Sequence, residues 1–172
     1  MVIAISGNAG AGKDTIAELL AEKLKLKLIR GTMKTFAKEK GIDILDFEKE
    51  FAENSNYWDR KLDEWQKESV KKAKDCILVS MLAAYNIPEA DLKVWLYAKE
   101  KVRAKRIGKR DKIPIDEALL YLKERDEVTR ERWKRIYKID FWDPKFYDLR
   151  IGTSDLTPEE IVVKIVEKLN ES

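Results

Sequence analysis

The sequence has no histidine at all and a single cysteine, Cys76, among 172 residues. Without histidine there is no imidazole acid or base, no Ser-His-Asp triad and no His-ligated metal. One cysteine excludes an internal disulfide and a cysteine-cluster metal site. Cys76 also lies in the apolar run Cys76-Ile77-Leu78-Val79, which reads as a buried core thiol. Charge of one sign is not in excess either: 35 basic and 32 acidic residues leave a net +3. That balance gives no general argument for a nucleic-acid coat. No apolar run approaches the ~20 residues of a membrane span, and no basic segment followed by a long apolar stretch opens the chain. The expectation is a soluble, cytoplasmic protein with no membrane partner.

Charge itself is plentiful, at 39% of residues, beside 44% hydrophobic residues. The charged stretches carry apolar residues at helical spacing, so they read as exposed helix faces rather than disorder. Short apolar runs alternate with them. Val2-Ile3-Ala4-Ile5 reads as a strand buried on both faces. Lys27 to Arg30, Asp75 to Ser80, Leu92 to Tyr97 and Leu149 to Gly152 read as four more, with a loop at Asn86-Ile87-Pro88. Helices are expected after Lys13, from 32 to 74 with breaks near Gly41 and Asn54-Ser55-Asn56, over 99–109 and 115–137, and after Thr157. Thr157-Pro158-Glu159-Glu160 supplies an N-cap, a first-position proline and first-turn acids. Alternation of this kind predicts an α/β fold: a five-stranded parallel sheet between helical layers. One domain is expected. Its core is 1–30, 75–102 and 146–172, with a helical insertion at 31–74 and a helical lid region at 103–140.

One segment carries specific chemistry. Gly7-Asn8-Ala9-Gly10-Ala11-Gly12-Lys13-Asp14-Thr15 follows the first strand and opens the first helix. Phosphates need many N–H donors aimed at one point. Glycines let the backbone approach, and a helix N-terminus adds free N–H groups and a positive dipole end. Gly7, Gly12 and Lys13 have the G-x-x-x-x-G-K spacing in the context that motif requires. The segment is therefore expected to bind ATP, with Lys13 reaching the outer phosphates. Asp14 follows Lys13 and moves the hydroxyl one place on, to Thr15. Mg²⁺ would meet Thr15, and Asp14 would either hold a water on the metal or cap the helix.

Cations recur after the fourth strand. Arg103, Arg106 and Arg110 are spaced i, i+3, i+7, and Arg125 and Arg132 are i, i+7. Two such faces flanking a hinge-like segment from Gly108 to Pro114 would close over a phosphoryl group, with Arg106, Arg110, Arg125 and Arg132 as catalytic cations. Asp59 and Asp63 are i, i+4 on one helix face, either as substrate ligands or as surface acids balancing Arg60 and Lys61. Trp58, Trp65 and Trp133 could stack on a base, though at helical spacing such residues more often pack a core or subdomain.

Beyond the loop, the chain resembles the small cytidylate kinases of the archaeal type, within the nucleoside monophosphate kinase group. The resemblance rests on Phe36-Ala37-Lys38-Glu39-Lys40-Gly41, on Asp59-Arg60-Lys61-Leu62-Asp63 with Gln66, and on Leu92 to Leu96 followed by Val102 to Ile107. It is carried further by Arg125, Arg132-Trp133-Lys134, Tyr137-Lys138-Ile139-Asp140, Tyr147-Asp148-Leu149 and Thr153-Ser154. It implies transfer of the ATP γ-phosphoryl to a nucleoside monophosphate, CMP or dCMP. Asp59 and Asp63 would then recognise the base or hold an arginine. The match departs from the family where an acid and an arginine follow the third strand; Val79-Ser80-Met81 stand there. The family's insertion-helix arginine is Lys34 here, which still meets a phosphate as a point charge. A small-molecule kinase with another acceptor, and an ATP-binding regulator touching RNA through 103–112, remain open alternatives. A monomer is expected, with a nucleotide substrate and no nucleic-acid partner under the first reading.

Overall fold

A computed structural model describes residues 1–42 and 55–171. The elements are β1 (Val2–Gly7), α1 (Lys13–Leu24), β2 (Lys27–Arg30), α2 (Met33–Lys40), α3 (Ser55–Ala73), β3 (Cys76–Val79), α4 (Ala83–Asn86), β4 (Leu92–Tyr97), α5 (Glu100–Asp111), α6 (Ile115–Tyr137), a 3-10 turn (Pro144–Phe146), β5 (Leu149–Gly152) and α7 (Pro158–Asn170). The described strands form one five-stranded sheet in the order β2-β3-β1-β4-β5, and every pairing is parallel.

The strands are apolar throughout because both sheet faces are covered. Period-two alternation divides them. Ile3, Ile5, Ile77 and Val79 pack with Ile16 and Leu20 of α1 and Ile161 and Ile165 of α7. Ala4, Cys76 and Leu78 face the other way, against Phe36, Trp65, Val70 and Ala84. Cys76 is therefore a core thiol, fully buried. At the C-terminal ends of the strands, β1 lies between β3 and β4, which lead to elements on different sides. This is where such sheets open a crevice for ligands.

Termini of the helices follow their sequence signals. Thr157 and Glu160 close a full capping box with Pro158 at the first turn of α7. Gly41 ends α2 in the left-handed conformation, at φ 69°. The second expected break, near 54–56, coincides with the start of α3, and the helix expected just before it lies outside the described residues. No described helix is long and apolar enough to cross a membrane.

Two expectations change. The loop at Asn86-Ile87-Pro88 is preceded by a helical turn, Ala83–Asn86. Long-range bonds make it: Ala84 N–H donates to Ser6 Oγ of β1 at 3.0 Å, and the buried Asn86 Nδ2 donates to Asp63 Oδ1 and Gln66 Oε1. Four residues carry too little periodicity to reveal that. The expected hinge from Gly108 to Pro114 is mostly helix. α5 runs through Asp111, and only Lys112, Ile113 and Pro114 separate it from α6. A Cβ at Gly108 would sit 2.9 Å from the Ile113 carbonyl, so this glycine permits tight packing of the connection and is no pivot.

Candidate active site

The phosphate loop spans the gap between β1 and α1. Gly12 holds φ 89°, a conformation L side chains rarely adopt, and stands as the N-cap of α1 without a side-chain cap. The first-turn N–H groups of α1 are thus left for a ligand. Asp14 supplies no N-cap bond; its carboxylate stands 3.8 Å from Lys13 Nζ. Of its two expected roles, capping is the one this geometry does not show. Thr15 beside it is exposed. Among the described residues no cluster of three metal-ligating side chains exists. Thr15 and Asp14 fit a magnesium ion only in the way such ions are commonly held with nucleotides, by few protein oxygens plus phosphates and water.

Lys13 is a largely buried charge. Only 15% of its side chain is exposed. Burial pushes its pKa below the ordinary lysine value; Asp14 opposes this, while the Arg125 and Arg110 charges push the same way. A cation held in such a place gains from an arriving phosphate what it lacks in hydration.

A single cleft of about 980 Å³ joins the loop to the other expected residues. Its walls include Gly10 to Thr15, Lys34, Asp59, Asp63, Arg106, Arg110, Arg125 and Arg132. Every expected catalytic and acceptor residue therefore reaches one space, with Val79, Ser80 and Met81 at its floor. Of the loop, Gly7 and Asn8 stand behind it as support.

The cations fall into two kinds. Arg106 is pinned: it donates to the Gly10 carbonyl at 3.3 Å, to Thr153 Oγ1 at 2.9 Å and to the Thr153 carbonyl at 2.6 Å. Arg110 forms a bidentate pair with exposed Asp111, both bonds 2.7 Å, and Arg125 donates to Tyr121 Oη at 2.6 Å. These last two have solvent-facing partners that a phosphate can outcompete. Arg103, expected to share their face, is 4% exposed and points into the protein.

Asp59 and Asp63 are not surface acids. They are 5% and 9% exposed, and Lys61 pairs with Glu64 instead. Asp59 Oδ2 lies 3.4 Å from Arg132 Nε. Asp63 accepts from Asn86 Nδ2 at 2.7 Å and from Tyr137 Oη. Burial raises both carboxyls. Asp59 reaches about 6, with Arg132 pulling it down and Asp63 pushing it up; Asp63 is raised by burial against its hydrogen bonds from Tyr137 and Asn86. An acid whose folded pKa exceeds its unfolded value binds more protons folded than unfolded between the two. Stability should then fall as pH rises from about 4 to 6 and level off above, by at most about 3 kcal/mol from Asp59. Urea denaturation at several pH values checks this, and Asp59→Asn should flatten the slope.

Several residues at this site gave little signal in the sequence. Gln66, 2% exposed, donates to the Gly31 carbonyl and accepts from Ser80 and Asn86. Asn86 bridges Asp63 and Gln66. Thr153 donates to the Ala11 carbonyl at 2.8 Å. Asn86 is a lone polar residue in an apolar run, whereas Gln66 and Thr153 stand among polar neighbours and entered only through the family resemblance; the bonds each makes appear only once the chain has folded. Of the tryptophans, Trp65 is buried and Trp58 packs edge-on against Phe36 at 6.3 Å, so packing claims both; Trp133 packs against Phe141 and also lines the cleft.

Parallel sheet, glycine-bounded loop, buried lysine and a facing set of arginines define a P-loop phosphotransferase fold. Solved structures agree on that fold. The chain superposes on a protein from Eubacterium ventriosum with TM-score 0.76 at 16% identity, covering 100% of this chain and 99% of that one. It superposes on shikimate kinase from Acinetobacter baumannii in complex with shikimate with TM-score 0.67 at 15% identity, covering 99% and 93%. More particularly, the chain belongs to the cytidylate kinase-like family, whose family model matches residues 2–155. It is 39% identical over 171 residues to the cytidylate kinase of Methanobrevibacter smithii, covering 98% of each chain.

Proposed function

We propose that this chain transfers the γ-phosphoryl group of ATP to a nucleoside monophosphate, with CMP or dCMP as the acceptor. The observation that carries the reading is the opposition, across one cleft, of the Lys13 loop and the buried Asp59–Asp63 face of α3. Family membership and full-length identity to a cytidylate kinase support the same acceptor.

Transfer of this kind asks for alignment and charge rather than covalent help. An acceptor phosphate oxygen forms a bond to the γ-phosphorus as the bond to the β,γ-bridging oxygen breaks, giving ADP and a nucleoside diphosphate. Lys13 and the loop N–H groups hold the donor phosphates. Arg110 and Arg125 exchange Asp111 and Tyr121 for the transferring group. Lys34, at the start of α2, meets the acceptor phosphate. Thr15 and Asp14 would hold the magnesium that accompanies ATP, which would screen the phosphate charge when bound. Arg132 is set by Asp59, and Asp59 keeps an oxygen for the base. Val79-Ser80-Met81 bring no charge to the acceptor side, so the phosphate grip falls to Lys34 and Arg132.

The test is a coupled assay of ADP release against a panel of nucleoside monophosphates. CMP and dCMP should give the highest kcat/KM, at least tenfold above AMP, GMP and UMP. ATP binding with no turnover on any of them would overturn the proposal.

A further inference from the structure

Two arginines and a threonine grip three consecutive carbonyls of the phosphate loop. Arg103 donates to Ala9 at 3.2 Å, Arg106 to Gly10 and Thr153 to Ala11. The contact with α5 and α6 is apolar as well: Ala9 is packed in one cluster with Ala104, Ile107, Ala118 and Leu122. Gly10 lies so close that a Cβ there would meet the Arg103 Cβ and carbonyl at 3.0 Å. The loop is thus built into the helix pair rather than waiting beneath it.

One carboxylate closes this arrangement. Asp126 of α6 accepts from Arg103 at 2.7 Å and from Asn8 Nδ2 at 3.4 Å. Its neighbour Arg125 reaches the cleft. Successive helical residues are about 100° apart, so the same turn of α6 presents a cation to the phosphates and an anion to the back of the loop. Further along, Arg132 pairs with Asp59 and Tyr137 donates to Asp63. From Asp126 to Tyr137 the helix rises roughly 16 Å. It is one rigid element fixed to the donor loop at one end and to the acceptor helix α3 at the other.

We propose that Asp126 is a positioning residue that couples the two nucleotide subsites: through Asn8 and Arg103 it locks the phosphate loop to the helix bearing Arg125 and Arg132. An acceptor that draws Arg132 from Asp59 shifts α6, and Asp126 passes the shift to Asn8 and to the Ala9 carbonyl. Donor and acceptor affinities are linked through this carboxylate, and by reciprocity each raises the other by the same factor. The proposal rests on the kinase reading above.

Binding of a non-hydrolysable ATP analogue is measured calorimetrically with and without saturating CMP, alongside kcat, both KM values and Tm. CMP should tighten analogue binding in the wild type by about fivefold or more. In Asp126→Asn that factor should fall to near one, and kcat by about tenfold, with Tm shifted by only a few degrees. Asp126→Glu, which keeps the charge, should recover part of the coupling. If Asp126→Asn does not fold, Arg103→Lys carries the test, with the same loss of coupling expected. A folded variant with wild-type coupling and kcat overturns the proposal, as does a wild type that transfers phosphoryl groups without coupling. A wild type with no transfer to any monophosphate overturns the kinase reading instead.

Discussion

Lys13→Met is expected to lower kcat by two to three orders of magnitude while leaving the protein folded. Removing one pre-placed electrostatic group from a water-poor site costs about 3–4 kcal/mol of transition-state stabilisation. Lys13 is such a group: little of it touches solvent, and burial already disfavours its charge in the free protein. That penalty implies a second outcome. A lysine with a lowered folded pKa loses protons more easily folded than unfolded, so its charged form opposes folding below its unfolded pKa. Methionine has similar length and no charge to desolvate. The variant should therefore melt at or above the wild-type temperature at pH 7. Steady-state kinetics and calorimetry on one preparation check both halves. A variant inactive only because it unfolds would contradict the role assigned to Lys13.

Arg132→Met should have the other large effect, and it divides differently. Arg132 and Asp59 are a mostly buried pair, with side chains 24% and 6% exposed. Removing one partner of such a pair commonly costs about 3–5 kcal/mol, because the other charge is stranded. Asp59 has an escape: its pKa stands near 6 even with Arg132 pulling it down, so loss of the arginine raises it further and favours protonation. Part of the stability loss should thus be recovered at pH 5. The double variant Asp59→Asn with Arg132→Met should recover most of it at pH 7, since neither charge then remains. If Arg132 grips the acceptor phosphate as proposed, catalysis should not return, because that phosphate then lacks its fork-shaped donor. Thermal unfolding at pH 5 and 7, with the monophosphate KM, separates the two effects. Equal stability of single and double variants would show that the pair does not carry the energy assigned to it.

Much of the molecule was legible before any coordinates. The phosphate loop is local: its glycines, its lysine and the strand-to-helix context all lie between Val2 and Leu24. Local chemistry of this kind depends on backbone conformations that only certain residues reach. The capping box at Thr157 and the left-handed end at Gly41 are legible for the same reason. The strands were legible because sheets covered on both faces demand unbroken apolar runs.

Assignments that depended on partners distant in sequence changed. Arg103, Arg106 and Arg110 look equivalent on a helix, yet the first two grip the loop from within the protein and the third meets solvent. Asp59 and Asp63 could equally have been surface acids beside Arg60 and Lys61. Asn86 sat in an apparent loop and proved to be the bridge between Asp63 and Gln66.

The sequence alone determined that this protein has a parallel α/β core, that residues 7–15 carry the spacing of a phosphate-binding loop between a strand and a helix, and that it has neither histidine nor disulfide chemistry. Each of these follows from residue types and short spacings, which act within a few residues of themselves. Tertiary structure decided which charges are buried, which arginines are free to change partner and how the loop is fastened to α6. Those depend on desolvation and on contacts between residues up to 142 positions apart, such as Thr153 with Ala11. Burial is a property of the packed chain, and no stretch of sequence carries it alone.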